Sequence, residues 1–166
     1  MRLFIALNFD EDVVKELTGV QEKLRNIGIG GNYTKKENLH LTLAFIGDYD
    51  DPDEIMDVMD SVPFKPINMR FERLQLFRDM AFVRIFDNPG LEGYVRRLRR
   101  ALADAGIPFD KKKFMAHITL IRKVSFDCER EWPQFSLENV WAGHVSLMRS
   151  ERGKNGMIYT EIGRVE

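Results

Sequence analysis

The pattern His-x-Thr occurs twice in this chain, as His40-Leu41-Thr42 and His117-Ile118-Thr119, and the stretches around the two copies align without a gap. An offset of 77 positions pairs the two histidines and the two threonines. It also pairs Phe9 with Phe86, Asp10 with Asp87, Lys35 with Lys112, Lys36 with Lys113 and Leu43 with Leu120. An internal repeat of this kind restricts the fold, because each copy must place equivalent residues on equivalent elements.

The elements around the motifs follow from apolar spacing. RLFIALNF (2–9) reads as a buried strand. Asp10 then caps a helix whose apolar positions Val13, Val14, Leu17, Val20, Leu24 and Ile27 recur at helical spacing, with Gly28 as its stop. A glycine-rich turn, GIGGN, leads to the strand of His40. Asp51 and Pro52 open a second helix with Ile55, Val58, Met59 and Val62 on one face. INMRFERLQLF and MAFVRIF alternate as antiparallel strands joined by a turn near Arg78 and Asp79. Asn88 and Pro89 start a third helix with Leu91, Tyr94, Val95, Leu98 and Leu102, ending near Gly106. The strand of His117 comes next, then two more strands, NVWAGHVSLMRS and GMIYTEIGRV, on either side of ERGKNG.

Each half is therefore a strand, a helix and a motif strand. The expectation is an α+β, bilobal duplicated fold in which two antiparallel sheets line a central cleft and helices lie outside. Residues 1–166 form one domain of two pseudo-symmetric lobes, with motif halves about 2–48 and 79–125 and C-terminal strands 139–165 completing the sheets.

Side chains in a strand alternate between faces. Strict alternation puts His40, Thr42 and Ala44 on one face and Leu39, Leu41, Leu43 and Phe45 on the other. In the second copy His117, Thr119 and Ile121 share a face, with Ile118 and Leu120 behind, and Arg122 falls on the back. A polar pair kept in both copies is costly on a buried face and costs nothing on a solvated cleft.

Charge narrows the possible partners. Lys and Arg number 25 against 26 Asp and Glu, so the chain lacks the basic excess of a protein that holds long nucleic acid by bulk electrostatics. A local basic pocket remains compatible, and the TKK and KKK runs before the two motif strands are placed to funnel a phosphorylated substrate. Cys128 is the only cysteine, which excludes an intramolecular disulfide and a cysteine zinc site and fits a reducing cytoplasmic setting. The apolar run at the start is too short for a signal peptide, and no run approaches a membrane span.

Two imidazoles that titrate near neutrality can take a proton from water and give one to a departing alkoxide. Two hydroxyls beside them can donate to a phosphoryl oxygen that gains negative charge. Phosphodiester cleavage suits these parts, and a strained cyclic phosphate suits them best. Two histidines without a neighbouring Cys, Asp or Glu on the same face are too few for a metal site, so no metal and no cofactor is expected. His144, without a threonine two residues on and without a partner copy, reads as structural.

The stretches RLFIAL, ENLHLTLAFIGD, FMAHITLIRK and VSLMRSERGKNGMIYTEIG together resemble the two-histidine (2H) phosphoesterases, and among them the RNA 2′,3′-cyclic phosphodiesterases also described as 2′-5′ RNA ligases. The resemblance implies a bilobal α+β fold and metal-independent opening of an RNA 2′,3′-cyclic phosphate to a 2′-phosphomonoester. By motif position it implies His40 as proton donor, His117 as proton acceptor and Thr42 and Thr119 as holders of the phosphoryl oxygens. Arg122 and Phe45 are the substrate-binding candidates. The expected partner is RNA ending in a 2′,3′-cyclic phosphate, with tRNA fragments among the candidates, acted on by a cytoplasmic monomer without membrane contact. Cleavage of 2′-5′ linkages, a nucleotide cyclic phosphodiesterase activity, 2′-5′ ligation and a non-catalytic RNA-end binding module are the alternatives.

Overall fold

The computed structural model describes residues 1–125 and 132–165; Cys128 lies outside them. The apolar run of the first strand, β1 (Arg2–Asn8), is buried on both faces from Leu3 to Leu7. Helix α1 (Glu11–Asn26) starts where the Asp10 carboxylate accepts the Val13 amide at 3.1 Å. Asp51 caps α2 (Pro52–Ser61), and Asn88 caps α3 (Pro89–Asp104), accepting from the Leu91 amide at 3.0 Å. In each case a short polar side chain satisfies an amide that the helix leaves without an internal partner.

The strands form two antiparallel sheets. The first runs β3 (Leu41–Asp48), β1, β8 (His144–Gly153), β9 (Gly156–Val165). The second runs β2 (Gly30–Tyr33), β6 (His117–Ser125), β5 (Met80–Ile85), β4 (Asn68–Phe77), β7 (Leu137–Trp141). Two sequence expectations change. GIGGN contains an edge strand, β2, rather than a turn alone, and NVWAGHVSLMRS divides at Ala142 and Gly143 into β7 and β8, which join different sheets. Gly143 makes that crossing possible: a Cβ there would meet the Asn8 carbonyl oxygen at 2.8 Å.

Leu3, Ile5 and Leu7 face the main core together with Leu17 and Leu24 of α1 and Leu98 and Leu102 of α3. Phe4 and Ala6 face the other way, into a small cluster with Met148, Phe45 and Tyr159. That second face belongs to the cleft.

Both motif strands depart from strict alternation at the same place. Ala6 pairs with Thr42 and Ile5 with Ala44, with a register shift between them. Phe82 pairs with Thr119 and Ala81 with Ile121, again across a shift. A bulge inserts one residue, so two consecutive side chains turn to the same side. Leu43 and Ala44 both enter the core, as do Leu120 and Ile121, and all four are fully buried. The alternation after each bulge is inverted. Phe45 and Arg122, which stand 77 residues apart, therefore return to the face of Thr42 and Thr119, while Ala44 and Ile121 leave it. We expect Ala44→Asp to lower the unfolding free energy by upward of about 3 kcal/mol in a urea titration, because it buries an unpaired charge, and Phe45→Ser to cost less. Strict alternation predicts the reverse order.

Each bulge is held from the opposite half of the chain. The buried Gln21 amide of α1 donates to the Leu120 carbonyl at 3.0 Å and to the Thr34 carbonyl at 2.8 Å. The guanidinium of Arg99 on α3 donates to the Leu43 carbonyl at 3.1 and 3.2 Å. Leu43 and Leu120 are repeat equivalents, and the helices that cap them are exchanged. Gly31 adds a steric requirement beside the second bulge: at φ +140° its hydrogen lies where a Cβ would come within 2.7 Å of Ile121 and 2.9 Å of the Arg122 carbonyl oxygen.

The repeat is not a single rigid offset. The residues opposite the two threonines, Ala6 and Phe82, stand 76 apart, and the helix caps Asp10 and Asn88 stand 78 apart. The offset of 77 holds through the motif stretches, from Asn38 and Met115 to Phe45 and Arg122.

Candidate active site

His40 lies immediately before β3, after a turn of 3-10 helix at Lys36–Asn38. Its Nδ1 is 2.6 Å from the Asn38 carbonyl oxygen. A carbonyl only accepts, so Nδ1 carries the hydrogen and Nε2 of the neutral ring presents a lone pair. That lone pair accepts from the Thr42 hydroxyl at 2.9 Å. Asn38 is itself buried and anchored, its amide donating to the Met157 carbonyl of β9 at 2.9 Å.

The second histidine repeats this arrangement. Nδ1 of His117 donates to the Met115 carbonyl at 2.7 Å, and Met115 is the repeat equivalent of Asn38. Both rings thus turn Nε2 away from the backbone. The threonines differ: Thr119 donates to the Met80 sulfur at 3.5 Å rather than to its own histidine.

Aromatic rings fix the imidazoles. Phe4 and Tyr159 flank His40 with centroids at 4.9 and 5.3 Å, and Phe82 stands edge-on to His117 at 5.4 Å. Burial is the main cause that pushes the His40 pKa below the ordinary 6.5. The charges of Arg122 and His117 push the same way, and the Asn38 hydrogen bond opposes them.

His40, Thr42, His117, Thr119 and Arg122 line one cavity of about 60 Å³ with Thr34, Asn38 and Tyr159. At that volume the cavity is closer in size to a small tetrahedral group than to a whole nucleoside. Arg122 reaches it because the β6 bulge reverses the face that alternation assigns to it. Phe45 reaches the cleft face for the same reason but packs into the small cluster beneath the cavity, under the Arg2 guanidinium at 4.9 Å, and does not line it. His144 lies elsewhere, 3.3 Å from Glu161. Among the described residues no three His, Cys, Asp or Glu side chains lie together as metal ligands.

Thr34, Asn38 and Tyr159 escape a reading of the motifs alone. Asn38 is the accessible one, since it sits two residues before His40 and the repeat draws attention to that carbonyl. Tyr159 comes from β9, 119 residues beyond His40, and no local spacing connects them.

Residues 7–84 match the family described as LigT like Phosphoesterase. The RNA 2′,3′-cyclic phosphodiesterase of Thermotoga maritima is 30% identical over 132 residues, covering 74% of this chain and 70% of that protein. The RNA 2′,3′-cyclic phosphodiesterase of Methanocaldococcus jannaschii is 24% identical over 174 residues, covering 98% of each. The crystal structure of a Thermus thermophilus protein, TT0787, superposes with a TM-score of 0.85 at 26% identity, covering 99% of this chain and 97% of that one. With its two antiparallel sheets and the extent of these matches, this chain belongs to the LigT-like phosphoesterases, a two-histidine (2H) phosphoesterase family.

Proposed function

We propose that this protein hydrolyses RNA 2′,3′-cyclic phosphate ends to 2′-phosphomonoesters without a metal, using His40 and His117 as a proton-transfer pair. The observation that carries this reading is the convergence of both imidazoles, both threonine hydroxyls and the Arg122 guanidinium on one cavity the size of a phosphoryl group. The relatives named RNA 2′,3′-cyclic phosphodiesterase support the substrate class.

The chemistry follows from the tautomers. The Nε2 lone pair of His117 takes a proton from water as the water oxygen bonds to phosphorus. The bond from phosphorus to O3′ breaks, and protonated Nε2 of His40 gives its hydrogen to that oxygen. The two hydroxyls and Arg122 donate to the non-bridging oxygens, where charge accumulates. His40 must be charged for this step although burial favours its neutral form. The substrate anion supplies the missing stabilisation, raising the imidazole pKa once it fills the cavity. The depressed His40 pKa also favours a second reading with the roles exchanged, in which neutral His40 is the acceptor.

The lone cysteine fits a cytoplasmic setting, and no helix among the described residues is long and apolar enough to cross a membrane. tRNA fragments are the physiological substrate we favour, with a monomer as the acting species.

The test is an oligonucleotide bearing a 2′,3′-cyclic phosphate, incubated with protein in EDTA. Turnover to a 2′-phosphate is expected. A rate that appears only with added divalent metal would contradict the metal-free mechanism. Binding without turnover would identify an RNA-end binding module, and preferential cleavage of a 2′-5′-linked dinucleotide would identify a different 2H activity.

A further inference from the structure

The small cavity opens into a groove of about 660 Å³ between β2 and the β8–β9 turn, and the two share Thr34, Asn38, Arg122 and Tyr159 as walls. Among the described residues its lining includes Arg25, Lys35 and Arg122 and no carboxylate. In a chain of net charge −1 that is a local concentration of positive charge. The other spaces differ. A cavity of about 430 Å³ beside Met115 and Ala116 sets Arg84 and Lys113 against Asp87 and Glu92. One of about 700 Å³ sets Lys23 and Arg73 against Glu16 and Glu72 and shares no residue with the histidine cavity.

We infer that this groove seats the nucleotide preceding the RNA end, with Arg25 and Lys35 holding the phosphodiester that links it to the terminal nucleotide. The inference rests on the proposed activity and adds to it a preference for RNA chains over mononucleotide cyclic phosphates. Lys35 is exposed at the groove edge, in the run before the first motif, and its distance from the core leaves it free to swing onto an anion. Arg25 extends from the last turn of α1 over the Tyr33 ring at 4.2 Å, and Tyr33 is pinned by donation to the Ile29 carbonyl at 2.6 Å. Stacking sets the guanidinium plane while its ion pair with Glu22, exposed on both sides, is weak enough for a phosphate to displace. Among the described residues no acidic side chain lines the groove, and Arg122, shared by both walls, carries its positive charge on to the histidine cavity.

The test compares kcat/KM for a trinucleotide ending in a 2′,3′-cyclic phosphate with that for cytidine 2′,3′-cyclic phosphate. Wild-type protein should prefer the trinucleotide by about tenfold or more at low salt, with a steeper salt dependence. In Arg25→Ala/Lys35→Ala the preference should collapse towards unity, and the slope of log kcat/KM against log salt should flatten by about 0.7 for each phosphate no longer neutralised. Lys35→Ala alone, at an exposed position, should lose part of the preference and keeps the test valid if the double variant folds poorly. Equal rates for the two substrates in wild type would overturn the inference while leaving the activity intact, as would loss of the preference in Lys113→Ala but not in the double variant. If neither substrate is turned over, the activity is wrong, and the groove is judged by binding. Tighter binding of a 3′-phosphorylated trinucleotide than of cytidine 3′-phosphate, dependent on Arg25 and Lys35, supports it; equal binding overturns it.

Discussion

His117→Ala is expected to lower kcat on a cyclic-phosphate substrate by at least about 10²-fold, and His40→Ala by a comparable factor, since each removes one of two proton transfers. The two effects should not multiply. Without an acceptor, donation to the leaving oxygen has little attack to assist, so the double variant should lie close to the slower single one. The variants differ in what else they disturb. His40 packs between Phe4 and Tyr159 and bonds to Asn38, so its removal also loosens the segment before β3 from Phe4 of β1 and Tyr159 of β9. His117 meets one ring, that of Phe82, where His40 meets two. A thermal melt beside each assay separates the effects: His117→Ala should lose rate with little loss of stability. Single variants that keep more than a tenth of wild-type kcat would rule out paired imidazoles as the catalytic groups.

Arg122→Ala should lower kcat/KM by about 10²–10³-fold, the scale for losing one donor to a developing oxyanion. Arg122→Lys should recover part of this, because the charge returns but the forked geometry does not. The substitution has a second readout. The Arg122 charge helps hold the His40 pKa below 6.5, so its removal moves that pKa upward. Since kcat/KM reports the free enzyme, the limb belonging to His40 should shift to higher pH in Arg122→Ala. The sign of that limb identifies the role. If His40 donates, kcat/KM falls as pH rises through its pKa. If His40 accepts, kcat/KM rises through it. A profile whose limbs do not move on removing Arg122 would mean that His40 does not govern the rate.

The helices and most strands were legible because their signals are local. Asp10, Asp51 and Asn88 each stand one residue before a helix, and the apolar positions of α1 and α3 fall on one face. The pairing of His-x-Thr copies was legible through the repeat. The bulges were not. A strand of alternating residues carries no mark of where an extra residue is absorbed, so Arg122 and Phe45 fell on the wrong side of their strands and Ala44 and Ile121 on the cleft side. What settles the bulge is non-local: Gln21 reaches Leu120 across 99 residues and Arg99 reaches Leu43 across 56. One hint was present, a glutamine within the apolar stripe of α1 between Leu17 and Leu24, where a buried amide needs a partner. The groove lining from the β8–β9 turn had no such hint, because the first sheet takes its last two strands from the far end of the chain.

The most direct test of the central claim is a crystal structure with a nucleoside 2′-phosphate bound. Nε2 of His40 and Nε2 of His117 should both lie about 2.6–3.2 Å from oxygens of the same phosphate, with Arg122 on a third. A phosphate held by one imidazole alone, or seated outside the cavity they share, would contradict it.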